Sequence, residues 1–486
     1  MLLFLTIALP MLGGAAMGLM RFSSAKSRGI YVETIVLATS ILTWVLLLTR
    51  TDTTYVLCHM NSELALAFRV DGMSCIFAGL VSILWPLASM YGFEYMQHEE
   101  RPNTFFSYYT MSYAVAFSAN LFSLYVFYEC LTLITLPLVI HKKDTMSIRA
   151  GRKYLTFSIS GAALAFIALV FIIYYGTTTD FVLGGVLDAE KISGMEELLK
   201  FVFLLAFVGF GTKAAVFPMY AWLPAASVAP TPVTALLHAV AVVNAGAYAV
   251  LRVIYYSFGA SFLYGTWAQT VALLLSCFTI LFGSTMAVRE QHFKRRLAYS
   301  TISNLSYMLM GAALMTPDGM TGSLSHLVIH GVIKITLFYC AGAILIKTGK
   351  EYVQDLRGYS RIMPATCGIF LLGSIALVGT PPLAGFVSKW NLLTAASATG
   401  LPMGTVAIVC LIISAILTAI YLFTAALPMY FRPLNADQAQ LAGQKLDPSW
   451  MMLVPMGILC ALMIGLGLWS QPLVTFLRNI SAGVIF

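Results

Sequence analysis

Charge is what this chain has least of. Only 10% of its 486 residues are Asp, Glu, Lys or Arg, against 59% hydrophobic. No water-soluble core is that apolar, so the sequence reads as an all-α polytopic membrane protein. Redox and metal ligands are as poorly supplied. The eight cysteines (Cys58, Cys75, Cys130, Cys277, Cys340, Cys367, Cys410 and Cys460) form no C-x-x-C pair and lie mostly in apolar runs. They read as small membrane-core residues rather than an iron–sulfur or zinc site. No G-x-x-x-x-G-K-[ST] phosphate loop occurs, and nothing has the pattern of a Ser–His–Asp nucleophile. The expectation is a chain with no cofactor and no metal of its own, not catalytic alone. No basic segment precedes the first apolar run, which reads as a membrane helix rather than a signal peptide.

What is present is a repeated apolar run of bilayer length. Helices are expected near 1–20, 31–49, 72–92, 106–119, 120–140, 154–175, 199–222, 231–256, 266–288, 297–316, 322–346, 363–398 (interrupted), 401–430 and 450–476, fourteen in all. With the amino terminus outside, the odd-numbered loops hold 19 of the 28 Lys and Arg, and the opposite side six, including Arg50 and Arg252. The positive-inside rule then favours an even number of spans with both termini outside. The formal charge of +8 is therefore topological and calls for no nucleic acid. Three cations are left over, Lys213, Lys334 and Lys389, all inside apolar helices.

Two spans are broken by proline. "FVGFGTKAAVFPMYAWLPAASVAPTPVTALLHA" carries Lys213, and "LVGTPPLAGFVSKWNLL" carries Lys389. They are five helices apart in the count, so they cross in opposite senses, the pattern of an inverted-repeat transporter. Glu129 sits mid-span in "NLFSLYVFYECLTLITLPLVIH" at a cost of roughly 2.5–3.5 kcal/mol. His326, His330 and Lys334 recur at i, i+4 and i+8 on one helix face, about 6 Å apart along the axis. With His238 these make seven buried ionisable groups containing a single carboxylate. Desolvated amines and imidazoles can exchange protons near neutrality, so a row of them suits a proton relay. A lone histidine here could be a hydrogen-bonded core residue, and a single Glu–Lys pair a structural bridge. So many groups together are poorly explained that way. Zinc at His326 and His330 lacks further ligands.

The segments "FYECLTLITLPLV", "GTKAAVFPMYAWLPAASVAPTPVTALLHA", "FKRRLAYSTISNLSYMLMG", "HGVIKITLFYCAGAI" and "GTPPLAGFVSKW" together resemble the antiporter-like subunits shared by Mrp-type Na+/H+ antiporters, membrane-bound group 4 hydrogenases and respiratory complex I. The resemblance covers about residues 70 to 430. It implies N-terminal helices 1–3 (1–105), inverted five-helix repeats at 106–258 (helices 4–8) and 259–430 (helices 9–13) with broken helices 7 and 12, and a C-terminal helix 14 (431–486). It also implies translocation of protons, or of sodium in exchange for protons, within a multisubunit complex of the cell inner membrane, with any redox chemistry on partner subunits. Glu129, Lys213, His238, His330, Lys334 and Lys389 match the family's ion-translocation residues, and His326 and Asn244 are further relay candidates. Many members carry a lysine where this chain has Asn244. The central link then runs through His238 and waters, or conducts poorly. The absence of a long C-terminal lateral helix resembles the D-type Mrp subunit. Two alternatives stay open, a stand-alone transporter of a small solute and a purely structural membrane subunit.

Overall fold

Hydrocarbon offers a peptide group no hydrogen-bond partner, so apolar runs of this length satisfy their backbone internally as helices. The computed structural model describes residues 2–49, 53–61, 64–96, 105–400, 402–435 and 443–484, with 105–108 described by their backbone alone. Helices α1 (Leu2–Leu19) and α2 (Ala25–Thr49) lead to an antiparallel hairpin, β1 (Tyr55–His59) and β2 (Ala65–Phe68), in which Tyr55 pairs with Phe68 and His59 with Ala65. Then follow α3 (Gly72–Tyr95), α4 (Phe105–Phe117), α5 (Leu121–Val139), α6 (Thr145–Tyr175), α7 (Glu196–Gly211) and the single turn α8 (Trp222–Ala225). The next span is built from α9 (Thr231–Ala239), α10 (Val242–Arg252) and a π-helical turn at Val253–Phe258. After the turn α11 (Ala260–Leu263) come α12 (Trp267–Arg289), α13 (Phe293–Ala313), α14 (Pro317–Thr348), α15 (Pro364–Val378), α16 (Ala384–Ala398), α17 (Pro402–Phe431), α18 (Trp450–Leu468) and α19 (Gln471–Ser481).

Ten of these segments are long and apolar enough to cross a membrane, α9–α10 with its π-turn counting as one. The short α4, the broken α7–α8, the polar α13 and the broken α15–α16 supply the other four of the fourteen expected. Side chains of Asp71, Asn120, Asp144, Thr266, Thr316 and Ser449 cap the starts of α3, α5, α6, α12, α14 and α18.

Several boundaries differ from expectation. The seventh span does not run to residue 222: α7 stops at Gly211, leaving Lys213 on non-helical backbone. The eighth is not continuous over 231–256 but opens at Val240 and Ala241, inside an apolar run with no proline to signal it. The last ends at Leu468, and α19 leaves it as a separate amphipathic helix. Charges move too. Lys294 and Arg296, counted as loop residues, are 6% and 3% exposed, because Lys294 donates to the Ala229 carbonyl and Arg296 to the Tyr421 carbonyl. Arg50 and Arg101 lie outside the described residues.

Arg252, expected at an outer helix end, is fully buried. Its Nη2 lies 2.7 Å from Oδ1 of Asp71, it donates to the Tyr248 hydroxyl, and its guanidinium stacks on Phe181 and Tyr256. The same Asp71 carboxylate accepts the Ser74 amide that starts α3, so one buried pair joins α3 to α10. Beside it, the loop after α6 is knitted onto the π-turn. The amides of Val182, Gly184 and Val186 donate to the carbonyls of Tyr256, Tyr255 and Ser257, which the widened helix leaves free. Replacing Arg252 with Met strands a buried carboxylate and is expected to cost about 3–5 kcal/mol, read as a lower Tm of the purified protein. An unchanged Tm would show that the pair holds nothing together.

Candidate functional site

Lys213, Lys334 and Lys389 are each held by a main-chain carbonyl, and among the described residues only Lys213 has a carboxylate in ion-pair range. Lys213 follows the end of α7, 1% exposed, and points across to α5. Its Nζ donates to the Tyr128 carbonyl, lies 3.3 Å from the centre of the Tyr128 ring, and stands 3.8 Å from Oε1 of Glu129. Glu129 Oε1 has no hydrogen-bond donor among the described residues, and the Glu129 side chain is 23% exposed. The pair is thus in electrostatic range without being hydrogen-bonded. Tyr128 donates to the Phe210 carbonyl at 2.6 Å, which locks α5 against the end of α7 and fixes the lysine's approach.

The opening of the eighth span lies against this pair. Gly246 of α10 packs on the main chain of Lys213 and Ala214 so closely that a Cβ would meet the Lys213 Cβ at 3.0 Å, and only glycine fits. On the far side of the opening, the Ala239 carbonyl faces α14, where a Cβ on Gly331 would lie 3.1 Å from its oxygen. Asn244 spans the opening. Its Nδ2 donates to the Ala239 carbonyl at 2.8 Å, while its Oδ1 has no partner among the described residues. Asn244 therefore caps a carbonyl that the broken helix frees, and presents an acceptor to the interior. His238 stacks on Phe338 of α14 at 4.7 Å, one turn beyond Lys334, with neither ring nitrogen bonded among the described residues.

On α14 the expected row forms. His326 Nδ1 lies 2.9 Å from the Ser388 hydroxyl of α16, and the His326 and His330 rings are 6.0 Å apart. Both nitrogens of His330 are buried without a protein partner among the described residues. Groups of this kind are normally satisfied by water. Lys334 donates to the Leu297 carbonyl at 3.1 Å and to the Ser300 hydroxyl, both on α13. Lys389 on α16 reaches back across the break and donates to the Leu377 and Val378 carbonyls at 2.8 and 2.9 Å. These are the exposed carbonyl end of α15, where a cation is favoured. The break itself turns on Gly379, at φ +94°, where a Cβ would also strike the Lys389 stem at 2.9 Å.

Sequence reasoning found these positions but missed others. Glu33, the sole acid of α2, accepts from the Ser89 hydroxyl of α3, so the membrane region holds more than one carboxylate. Its signal was an acid nine residues into an apolar helix. Asp71 was not singled out, Arg252 was read at an outer helix end, and Lys294 was counted in a loop. Replacing Asn244 with Ala removes the donor to the Ala239 carbonyl and is expected to cost about 1–3 kcal/mol, visible as a lower Tm. A normal Tm with reduced ion flux would instead make Asn244 a relay group only.

Comparison with known proteins gives the same picture from outside. Residues 118–418 match the family described as "NADH:quinone oxidoreductase/Mrp antiporter, TM", and residues 59–106 match "NADH-Ubiquinone oxidoreductase (complex I), chain 5 N-terminus". The chain is 30% identical over 369 residues to NADH-quinone oxidoreductase subunit N of Desulforudis audaxviator, covering 74% of this chain and 72% of that one. It is 31% identical to hydrogenase-4 component B of Escherichia coli, covering 67% of this chain and 50% of that one. It is also 31% identical to an Na(+)/H(+) antiporter subunit of Alkalihalophilus pseudofirmus, covering 75% and 47%. It thus spans about half the length of these last two. A chain of the Mrp complex from Dietzia sp. shares its fold, with TM-score 0.85 at 20% identity, 99% of this chain and 97% of that one covered. A chain of an archaeal membrane-bound sulfane sulfur reductase does likewise, with TM-score 0.84 at 19% identity and the same coverage. By the match over its central 118–418 and these relatives, the chain belongs to the family of membrane subunits common to NADH:quinone oxidoreductases and Mrp antiporters.

Proposed function

We propose that this chain is the ion-translocating subunit of a multisubunit membrane complex, passing protons, or sodium in exchange for protons, along its buried axis. The observation that carries the reading is the loose Glu129–Lys213 pair at 3.8 Å, set at the head of a series of amines and imidazoles that has no second carboxylate in ion-pair range among the described residues. Coulomb attraction at that separation is on the order of 1–4 kcal/mol, small enough for protonation of Glu129 or rotation of its side chain to undo.

In this reading Glu129 holds the charged Lys213 while the pair stands. When the carboxylate is neutralised or drawn away, the ammonium keeps only the Tyr128 carbonyl and ring, and its proton leaves toward the opening between α9 and α10. His238 and His330 receive it with water, using ring nitrogens that have no competing protein bond among the described residues. Asn244 offers its free Oδ1 as an acceptor for such a water and, having no proton to exchange, acts only as a support. Lys334 takes the charge next, and Lys389 exchanges it with the opposite side, with His326 and Ser388 between them. The inverted halves would be residues 106–258 and 259–430, each built round one broken span. By the distribution of Lys and Arg, both termini face outward. The neighbours would be further membrane subunits of an Mrp, hydrogenase or complex I-like assembly, with redox cofactors, where there are any, on other chains.

The test is Glu129→Gln in the intact assembly, reconstituted into vesicles and followed with an interior pH dye. Flux is expected to fall at least tenfold, about 1.4 kcal/mol or more of lost coupling, with assembly on size exclusion unchanged. Lys213→Met should do the same. The double variant should be no worse than either single one, as for two residues acting through one contact. Wild-type flux in Glu129→Gln would sink the switch.

A further inference from the structure

At the membrane face that carries most of the basic residues, a cavity of 280 Å3 opens between the ends of α12, α13 and α17 and the segment joining α14 to α15. Three guanidinium groups line it, Arg296, Arg357 and Arg432, together with Gln291, Gln354 and Thr424. No carboxylate among the described residues is part of its wall. The cavity is a constructed one. The Val353 amide donates to the Gln291 carbonyl and the Gly358 amide to the Pro428 carbonyl, both at 3.0 Å, so pieces of chain far apart in sequence are tied round it. Arg296 is held from behind, by Nε on the Glu290 carbonyl and Nη1 on the Tyr421 carbonyl and Thr424 hydroxyl at 2.8–3.0 Å. That leaves its Nη2 without a bond among the described residues. Arg357 and Arg432 are exposed, and their side chains form no hydrogen bond or ion pair among the described residues.

Arginines that serve only the positive-inside rule need no more than water and headgroups, and they have no reason to converge. Here one is buried and oriented by three acceptors, and two free ones meet it across a space too small for a peptide domain and large enough for a phosphate ester. Planar guanidiniums match the oxygen geometry of phosphate bidentately, and basic pockets between transmembrane helices on this side of a membrane bind lipid head groups. We propose that this cavity binds a phosphate group, carried either by an anionic phospholipid at the membrane surface or by free phosphate. An occupant would also pin the start of α13. Leu297, the residue after Arg296, supplies the carbonyl that holds Lys334, so the site lies one peptide from the ion axis. The assignment does not depend on that axis conducting.

The double variant Arg357→Gln/Arg432→Gln changes two surface side chains and leaves Arg296 and its supports in place. Purified assemblies of wild type and variant are compared for bound phospholipid, by phosphorus content and mass spectrometry. They are also compared for stabilisation by inorganic phosphate, against chloride at equal ionic strength. Wild type retaining about one more anionic phospholipid per chain than the variant would identify a lipid head group. Equal lipid, with saturable phosphate stabilisation at least about tenfold weaker in the variant, would identify free phosphate. Equal lipid and equal phosphate response overturn the proposal. So does cross-linking that finds both arginines occupied by carboxylates of a neighbouring subunit.

Discussion

A carbonyl freed inside hydrocarbon must find a donor within the protein, and in this chain the donors are the buried cations and amides themselves. Lys389 satisfies the open end of α15 and Asn244 the open end of α9, while Lys334 and Lys213 rest on the Leu297 and Tyr128 carbonyls inside the unbroken α13 and α5. The broken spans and the charges that lie in them are therefore one arrangement. The α15–α16 break without Lys389 would strand the Leu377 and Val378 carbonyls, and the α9–α10 break without Asn244 the Ala239 carbonyl. A carbonyl can hold an ammonium or a neutral amine, so the contact constrains position while leaving the protonation state free. A second formal charge in the same place would not have that property.

The architecture follows from these pairings. Gly246 of α10 packs on the main chain of Lys213 and Ala214, Gly331 of α14 on the Ala239 carbonyl, and Gly379 before α16 on the Lys389 stem, each an approach that a side chain would block. His238 against Phe338 and His330 beside His326 keep ring nitrogens without a partner among the described residues. On one flank, the buried Asp71–Arg252 pair and the loop laid over the π-turn close the end of the bundle. On the opposite flank, Trp390, next to Lys389, is 54% exposed.

Much of this was legible beforehand because it rests on one-dimensional signals. Apolar runs give spans, prolines and glycines give two of the breaks, and an ionisable residue inside an apolar run announces itself. Glu129, Lys213, Lys334 and Lys389 were all visible in that way. What escaped was three-dimensional in origin. The opening at Val240 and Ala241 carries no local signature and is stabilised by an amide from Asn244. That residue read as a weakened relay position because its type was compared with lysine rather than with its backbone neighbour. Lys294, Arg296 and Arg252 were placed at surfaces by their nearness to helix ends, whereas partners 65 to 181 positions away draw them inside. Glu33 was passed over because the second helix was expected to start at residue 31, which put the acid at its first turn, whereas α2 starts at Ala25 and sets it nine residues in.

The axis from Lys213 to Lys389 carries three amines and three imidazoles and meets one carboxylate. Hydrocarbon penalises net charge steeply, so the number of protons such a row can carry together is limited by its fixed negative charge, not by its count of acceptors. Adding basic groups lengthens the route without enlarging the load. On the proposed reading, the ion stoichiometry per cycle follows the carboxylates, and one at this axis among the described residues corresponds to a cargo moved singly.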